Sequence, residues 1–159
     1  MNIRLICVGK IKEKYLADAI MDYVKRLAPY VRLEIIEVPD EKAAENLSAK
    51  EAGQVIEREG AKIAKHLAAD AYKIALTISG KPLSSTDLAK AIKNLGISGK
   101  SKINFIIGGS LGLAPDIINT AHMQLSLSQM TFTHQLARLI LMEQIYRAFR
   151  INSNEPYHK

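Results

Sequence analysis

The stretch IRLICVGKIKEKYLADAIMDYVKRLAPYVRLEIIEV, residues 3–38, decides the fold class. Ile3, Leu5, Ile6 and Val8 form a short apolar run that stops at Gly9, the signature of a buried strand. A helical pattern follows. Tyr15, Ala19, Tyr23 and Leu27 recur every four residues, with Leu16, Ile20 and Val24 in the adjacent row. Both rows fall on one helix face, so all seven are expected to face the core. Pro29 ends the helix. Leu33, Ile35, Ile36 and Val38 then read as a second strand, stopped by Pro39.

The same alternation continues to the end of the chain. Ser48 and Glu51 form a capping box ahead of a helix carrying Ala52, Val55, Ile56, Ile63 and Leu67. Residues 71–78 predict a third strand, and Ser79-Gly80-Lys81-Pro82 a turn. Ser84 or Ser85 can cap a helix holding Leu88, Ile92 and Leu95. Residues 103–107 predict a fourth strand, ending at Gly108-Gly109. Pro115 opens a short helix, Met123, Leu125 and Leu127 alternate as in a strand, and a long helix runs from Thr133 to Phe149. The expected architecture is a single α/β domain over 1–159, with about five mostly parallel strands and helices on both faces. Such sheets bind ligands at the carboxyl ends of their strands, which directs attention to loops 79–84, 108–114 and 128–133.

Composition narrows the function classes. The 22 Lys and Arg against 16 Asp and Glu give a formal charge of +6, which favours a polyanionic partner. One cysteine, Cys7, excludes an internal disulfide and points to a reducing, cytoplasmic setting. No apolar run approaches the roughly 18 residues of a membrane span. His66, His122, His134 and His158 are scattered without metal-ligand spacing, so no metal is expected.

Three motifs invite misreading. Gly99-Lys100-Ser101 resembles the end of a phosphate loop, but Asn94 stands where that motif needs glycine, and a strand follows rather than a helix. Gly108-Gly109-Ser110-Leu111-Gly112 contains no dinucleotide fingerprint. It does match G-x-S-x-G after a strand, which would make Ser110 a hydrolase nucleophile. The chain offers too few strands for that fold and no second oxyanion loop. The remaining readings of these glycines are a tight turn or close backbone approach to a flat ligand.

Residues 133–150 are apolar almost all round. Leu136, Leu139 and Ile140 form one face, and Ala137, Leu141, Ile145 and Ala148 another, while Arg138, Gln144 and the row Glu143, Arg147, Arg150 remain polar. One face can cover the sheet and the other asks for a partner, so a homodimer through this helix is expected. Glu143 and Arg147, spaced i,i+4, read either as a helix ion pair or as groups with a further task. The cations Lys10, Lys12, Lys14, Lys25 and Arg26 near the first helix, and Arg138, Arg147 and Arg150 near the last, are candidates for phosphate contact or plain solvated faces. The tail Pro156-Tyr157-His158-Lys159 has no visible core role and reads as a segment that orders on binding.

Together, GGSLGL (108–113), LSLSQMTFTHQLARLILMEQIYRAF (125–149) and the terminal PYHK, with VGKIKEKY (8–15) at the start, resemble the RlmH family of the SPOUT methyltransferase superfamily along the whole chain. The resemblance implies a C-terminal trefoil knot, a homodimer and S-adenosylmethionine as methyl donor. It also implies methylation at N3 of a pseudouridine in 23S ribosomal RNA of assembled ribosomes. It assigns donor binding to Leu76, Gly108 and the loop Leu127, Ser128, Gln129, Met130, Thr131 and Phe132. It assigns substrate handling to Arg147, Tyr157 and His158, with His134 in a recurrent motif. Gln129 and Thr133 depart from the usual family pattern. Two other readings stay open: a cofactor-free RNA-binding or ribosome-assembly module, and a small serine hydrolase using Ser110.

Overall fold

The computed structural model describes residues 1–157. Its elements alternate: β1 (Asn2–Val8), α1 (Lys14–Leu27), β2 (Arg32–Val38), α2 (Ala49–Ala64), β3 (Tyr72–Pro82), α3 (Ser85–Ile97), β4 (Lys102–Ile107), α4 (Pro115–Thr120), β5 (Met123–Ser126) and α5 (His134–Asn152). The five strands form one sheet in the order β2-β1-β4-β3-β5, and every pairing is parallel. This is the α/β architecture expected from the sequence.

Strand position explains strand composition. Central β1 and β4 are buried on both faces, and both read as near-continuous apolar runs, interrupted by Arg4 and Asn104. Edge strand β2 is half-buried and carries Arg32, Glu34 and Glu37 among its apolar residues. One sheet face meets α1, α3 and α5 through Leu27, Leu88, Ile92, Leu141 and Ile145. The other meets α2 and α4 through Ile63 and Ile117, with Leu113 of the preceding loop beside them. Helix starts follow their caps. Ser48 and Glu51 complete the capping box of α2, Ser84 (not Ser85) caps α3, and the Thr133 hydroxyl accepts the Leu136 N–H at the start of α5.

Three expectations change. Residues 79–82 are not a turn after β3 but its continuation. The register against β5 jumps between Leu76 and Lys81, so 77–80 bulge outward and the strand then re-pairs. Gly80 permits this, because a Cβ there would sit 2.7–2.9 Å from the backbone of Gln124 and Leu125. Second, Tyr15 does not face the core; it is 69% exposed while its neighbour Leu16 is buried. Third, Arg138 is not a polar exception on the outer face of α5. It is among the most deeply buried side chains in the molecule, at 1% exposure.

Candidate donor and substrate site

A cavity of about 1,020 Å³ opens at the carboxyl ends of β3, β4 and β5. Three segments build it: the bulge after Leu76, the glycine turn after β4, and the loop from Leu127 into the first turn of α5. Leu76, Gly108, Leu127, Ser128, Met130, Thr131 and Phe132 all line it. Gln129 does not; it lies on the outside of its loop. Ile107, Leu113 and Leu125 add apolar wall.

The glycine turn is shaped by close packing. A Cβ on Gly108 would overlap the Gly112 carbonyl, and Gly112 takes φ +91°. The Gly112 N–H returns to the Gly109 carbonyl at 3.1 Å. Behind the turn lies Glu59 of α2, which is 4% exposed. Its Oε1 accepts the Glu41 N–H at 3.0 Å, and its Oε2 has no hydrogen-bond partner among the described residues. A Cβ on Gly109 would come within 2.8 Å of that oxygen. Burial pushes the Glu59 carboxyl above the usual carboxylate range. The sequence carried one hint of it: Glu59 falls four residues after Val55 and four before Ile63, in the core row of α2.

The front rim is held by α5. Arg138 pairs with Glu37 (2.5 Å) and donates to the Gly9 carbonyl (2.9 Å), tying α5 to the ends of β1 and β2. One turn earlier, half-buried His134 lines the cavity beside Gly9. Burial, and then Arg138, push its imidazole below the ordinary histidine range, which favours its neutral form. Arg138 is therefore excluded as a phosphate contact.

Arg147 and Tyr157 lie elsewhere. They form one cluster toward the far end of α5. Arg147 pairs with Glu143 (Nη2 to Oε1, 2.5 Å), which holds its guanidinium firmly charged, and its Cζ sits 4.7 Å from the Tyr157 ring centre. The Tyr157 hydroxyl donates to Glu143 at 3.2 Å, and its ring meets Tyr146 edge-on at 4.9 Å. Burial first, then Tyr23 and Glu143, push the phenol upward, so it keeps its proton. The tail is thus anchored as far as Tyr157, and it is fastened further by the Arg150–Glu155 pair at 2.7 Å. His158 lies outside the described residues. Arg150 is held by Glu155, whereas Arg26 pairs with Asp22 on the surface and stays half exposed.

The decoys resolve on geometry. Ser110 is exposed, and among the described residues the only non-glycine with positive φ is Asn154, so Ser110 lacks the strained backbone of a nucleophile elbow. Gly99-Lys100-Ser101 precedes β4, at the end of the sheet opposite the cavity. Among the described residues no group of three His, Cys, Asp or Glu could hold a metal, and no helix is long and apolar enough to cross a membrane.

Comparison with known proteins agrees with this architecture. A family model described as "Predicted SPOUT methyltransferase" matches residues 1–158. The chain is 57% identical, over the full length of both proteins, to a putative ribosomal RNA large subunit methyltransferase H of Methanococcus maripaludis. It is 55% identical, again over both full lengths, to a ribosomal RNA large subunit methyltransferase H of Clostridioides difficile. Among solved structures, a probable methyltransferase from Bordetella pertussis superposes with TM-score 0.59 at 13% identity, covering 92% of this chain and 93% of that one, a likeness of fold.

Proposed function

The chain belongs to the SPOUT methyltransferase family, and from that premise we propose that it methylates N3 of a pseudouridine in 23S ribosomal RNA, using S-adenosylmethionine. The observation that carries the donor assignment is the cavity at the strand ends. Its walls are apolar, its glycine turn lets backbone approach a flat adenine, and it has ample volume for a nucleoside ligand. Leu76, Gly108, Leu127, Ser128, Met130, Thr131 and Phe132 would hold it, and Gln129, outside the lining, would not. When bound, the donor supplies an electrophilic methyl carbon on a cationic sulfur.

The chain's own residues then have three tasks. Leu76, Leu127 and Phe132 exclude water and fix orientation, and alignment is the main requirement of an in-line transfer. Arg147 stabilises negative charge that develops on the base carbonyls when N3 loses its proton. Tyr157 keeps its own proton and presents its ring and hydroxyl to the base. The N3 proton goes to His158, an imidazole being the side chain type suited to accept a proton near neutral pH.

These tasks do not meet within one chain. His134 and Arg147 are 13 residues apart on one helix, roughly 20 Å at 1.5 Å per residue. Transfer requires reacting atoms within about 3.5 Å. A homodimer through α5, with the Arg147 cluster of one copy facing the cavity of the other, supplies the missing proximity. Leu136 on α5 and Met130 beside it, 38% and 75% exposed, give that interface an apolar centre.

The test is transfer of labelled methyl from S-adenosylmethionine into intact ribosomes, free subunits and naked 23S RNA, with mapping of the modified nucleotide. Label at N3 of a pseudouridine in ribosomes is expected. No label in any of the three refutes the proposal, and donor-independent RNA binding in that case would favour an assembly module. Light scattering should give twice the monomer mass.

A further inference from the structure

We propose that the β1–α1 loop and the first turn of α1 form a docking rim for single-stranded RNA flanking the target nucleotide, with Lys10 and Lys12 on phosphates and Tyr15 stacked on a base; this rests on the RNA-methylation reading above. The loop is not a loose connection. Gly9 takes φ +81°, and the His134 imidazole lies 3.3 Å from where a Cβ would be. The Ile11 N–H donates to Glu37 Oε1 at 3.3 Å and the Lys12 N–H to Gln135 Oε1 at 3.0 Å. Glu37 is itself held by buried Arg138. Because His134 and Gln135 line the donor cavity, the loop is fastened to the cavity's edge.

What this anchored backbone displays is chemically coherent. Lys10, Lys12, Lys14 and Tyr15 are all exposed. Lys14 shares its charge with Asp18 at 2.7 Å, whereas no ion pair among the described residues involves Lys10 or Lys12. Glu13 is the one acid within the segment and lies between Lys12 and Lys14. By contrast Arg138 of α5 is buried, and Arg147 and Arg150 are held by Glu143 and Glu155, so on this side of the cavity the exposed cations of the β1–α1 loop are the ones available to a polyanion. Tyr15 is the telling residue. Its spacing with Ala19, Tyr23 and Leu27 would put it in the core row, yet it is 69% exposed. An aromatic ring standing among lysines is the arrangement by which proteins grip unpaired nucleotides, stacking on the base while cations follow the backbone.

The experiment compares the parent with K10A/K12A, Y15A, Y15L and Y15W. Donor affinity is measured by calorimetry, ribosome KM by methyl transfer, and affinity for a fluorescent 12-nucleotide uridine-rich RNA across 50–300 mM salt. Donor affinity should be unchanged throughout. K10A/K12A should raise the ribosome KM and flatten the salt slope for the oligonucleotide by about 1.4, near 0.7 for each phosphate no longer neutralised. Y15A and Y15L should weaken RNA binding roughly 5- to 100-fold, and Y15W should restore it. Parent-like KM and salt slope in K10A/K12A, or Y15L binding as well as Y15W, overturns the proposal. A loss of ribosome affinity with oligonucleotide binding untouched also overturns it, and assigns the rim to an acidic protein. If the parent transfers no methyl to ribosomes yet binds the oligonucleotide in a Lys10- and Tyr15-dependent way, the rim stands and the methylation reading falls.

Discussion

Replacing Arg138 by Met tests the joint on which the cavity's front rim depends. The side chain is 1% exposed, pairs with Glu37 at 2.5 Å and donates to the Gly9 carbonyl at 2.9 Å. Met keeps much of the volume and removes the charge and the donors. Removing one partner of a buried pair costs about 3–5 kcal/mol, because the other charge is left without compensation. The Glu37 side chain is 33% exposed and can recover some hydration, which points to about 3 kcal/mol, the lower end. For a chain of this size 1 kcal/mol moves Tm by roughly 2–4 °C, so R138M should melt about 6–12 °C lower. Thermal unfolding followed by circular dichroism reads this directly. Adding E37L to R138M should recover part of the loss, since no lone carboxylate is then left behind. Calorimetry should show weaker donor binding in R138M, because His134, Gln135 and Ala137 on the same turn line the cavity. A melting point within about 1 °C of the parent, or a further full loss on adding E37L, would refute the reasoning that this pair fastens α5 to β1 and β2.

Three other outcomes follow from the same packing. G108A should abolish donor binding, since its Cβ would overlap the Gly112 carbonyl and the turn must open; calorimetry with S-adenosylmethionine checks this. Glu59 has a carboxyl raised by burial, so its protonated form is the one folding favours. Its stabilising contribution is complete below the unfolded value of about 4.3 and is lost as pH rises through the folded value. E59Q, which keeps an acceptor for the Glu41 N–H, should therefore gain stability relative to the parent as pH rises from about 4 to about 8, as measured by denaturant titration. Burial pushes the Cys7 thiol up to about 12. It should resist alkylation at pH 7 except at the rate of global unfolding, and stability should fall as pH rises above about 8.5, where only the unfolded thiol ionises.

Most of the fold was legible because local signals agreed with it. The apolar runs at 3–8 and 103–107 belong to the two strands buried on both faces, and the caps Ser48 and Ser84 start the helices they head. The failures share a cause: each depends on distant parts of the chain. Tyr15 lies on the right periodicity for the core, but it sits in the first turn of α1, beyond the reach of the elements that cover Leu16 and Ile20. Residues 79–82 carry turn chemistry, and the bulge they make is invisible without the β5 backbone against which Gly80 packs. Arg138 was hidden because its burial depends on a partner 101 residues away, and Glu59 showed only its place in the core row of α2, while its partner lies 18 residues off. For the site, the residues that the family resemblance assigned to donor binding line one cavity, apart from Gln129.

The two ends of α5 explain why a nearly all-apolar helix also carries Arg138, Glu143 and Arg147. Its first half is pinned to the strand ends by a buried guanidinium, so that half cannot rotate or slide without breaking the Glu37 and Gly9 contacts. Its second half holds Arg147 and Tyr157 in a fixed cluster with Glu143 and Tyr146. A rigid helix joining them keeps the cavity and the Arg147–Tyr157 cluster at a constant separation of roughly 20 Å. Flexibility of the tail does not solve this, because Tyr157 is packed against the same helix. Under the proposed two-copy site, the separation becomes useful: each helix contributes its first half to one site and its second half to the other. A mixture of R147A and G108A subunits should then contain heterodimers with one site free of both substitutions. Recovery of methyl transfer on mixing two inactive variants is the expected result, and no recovery after verified subunit exchange would show that both halves serve the same chain.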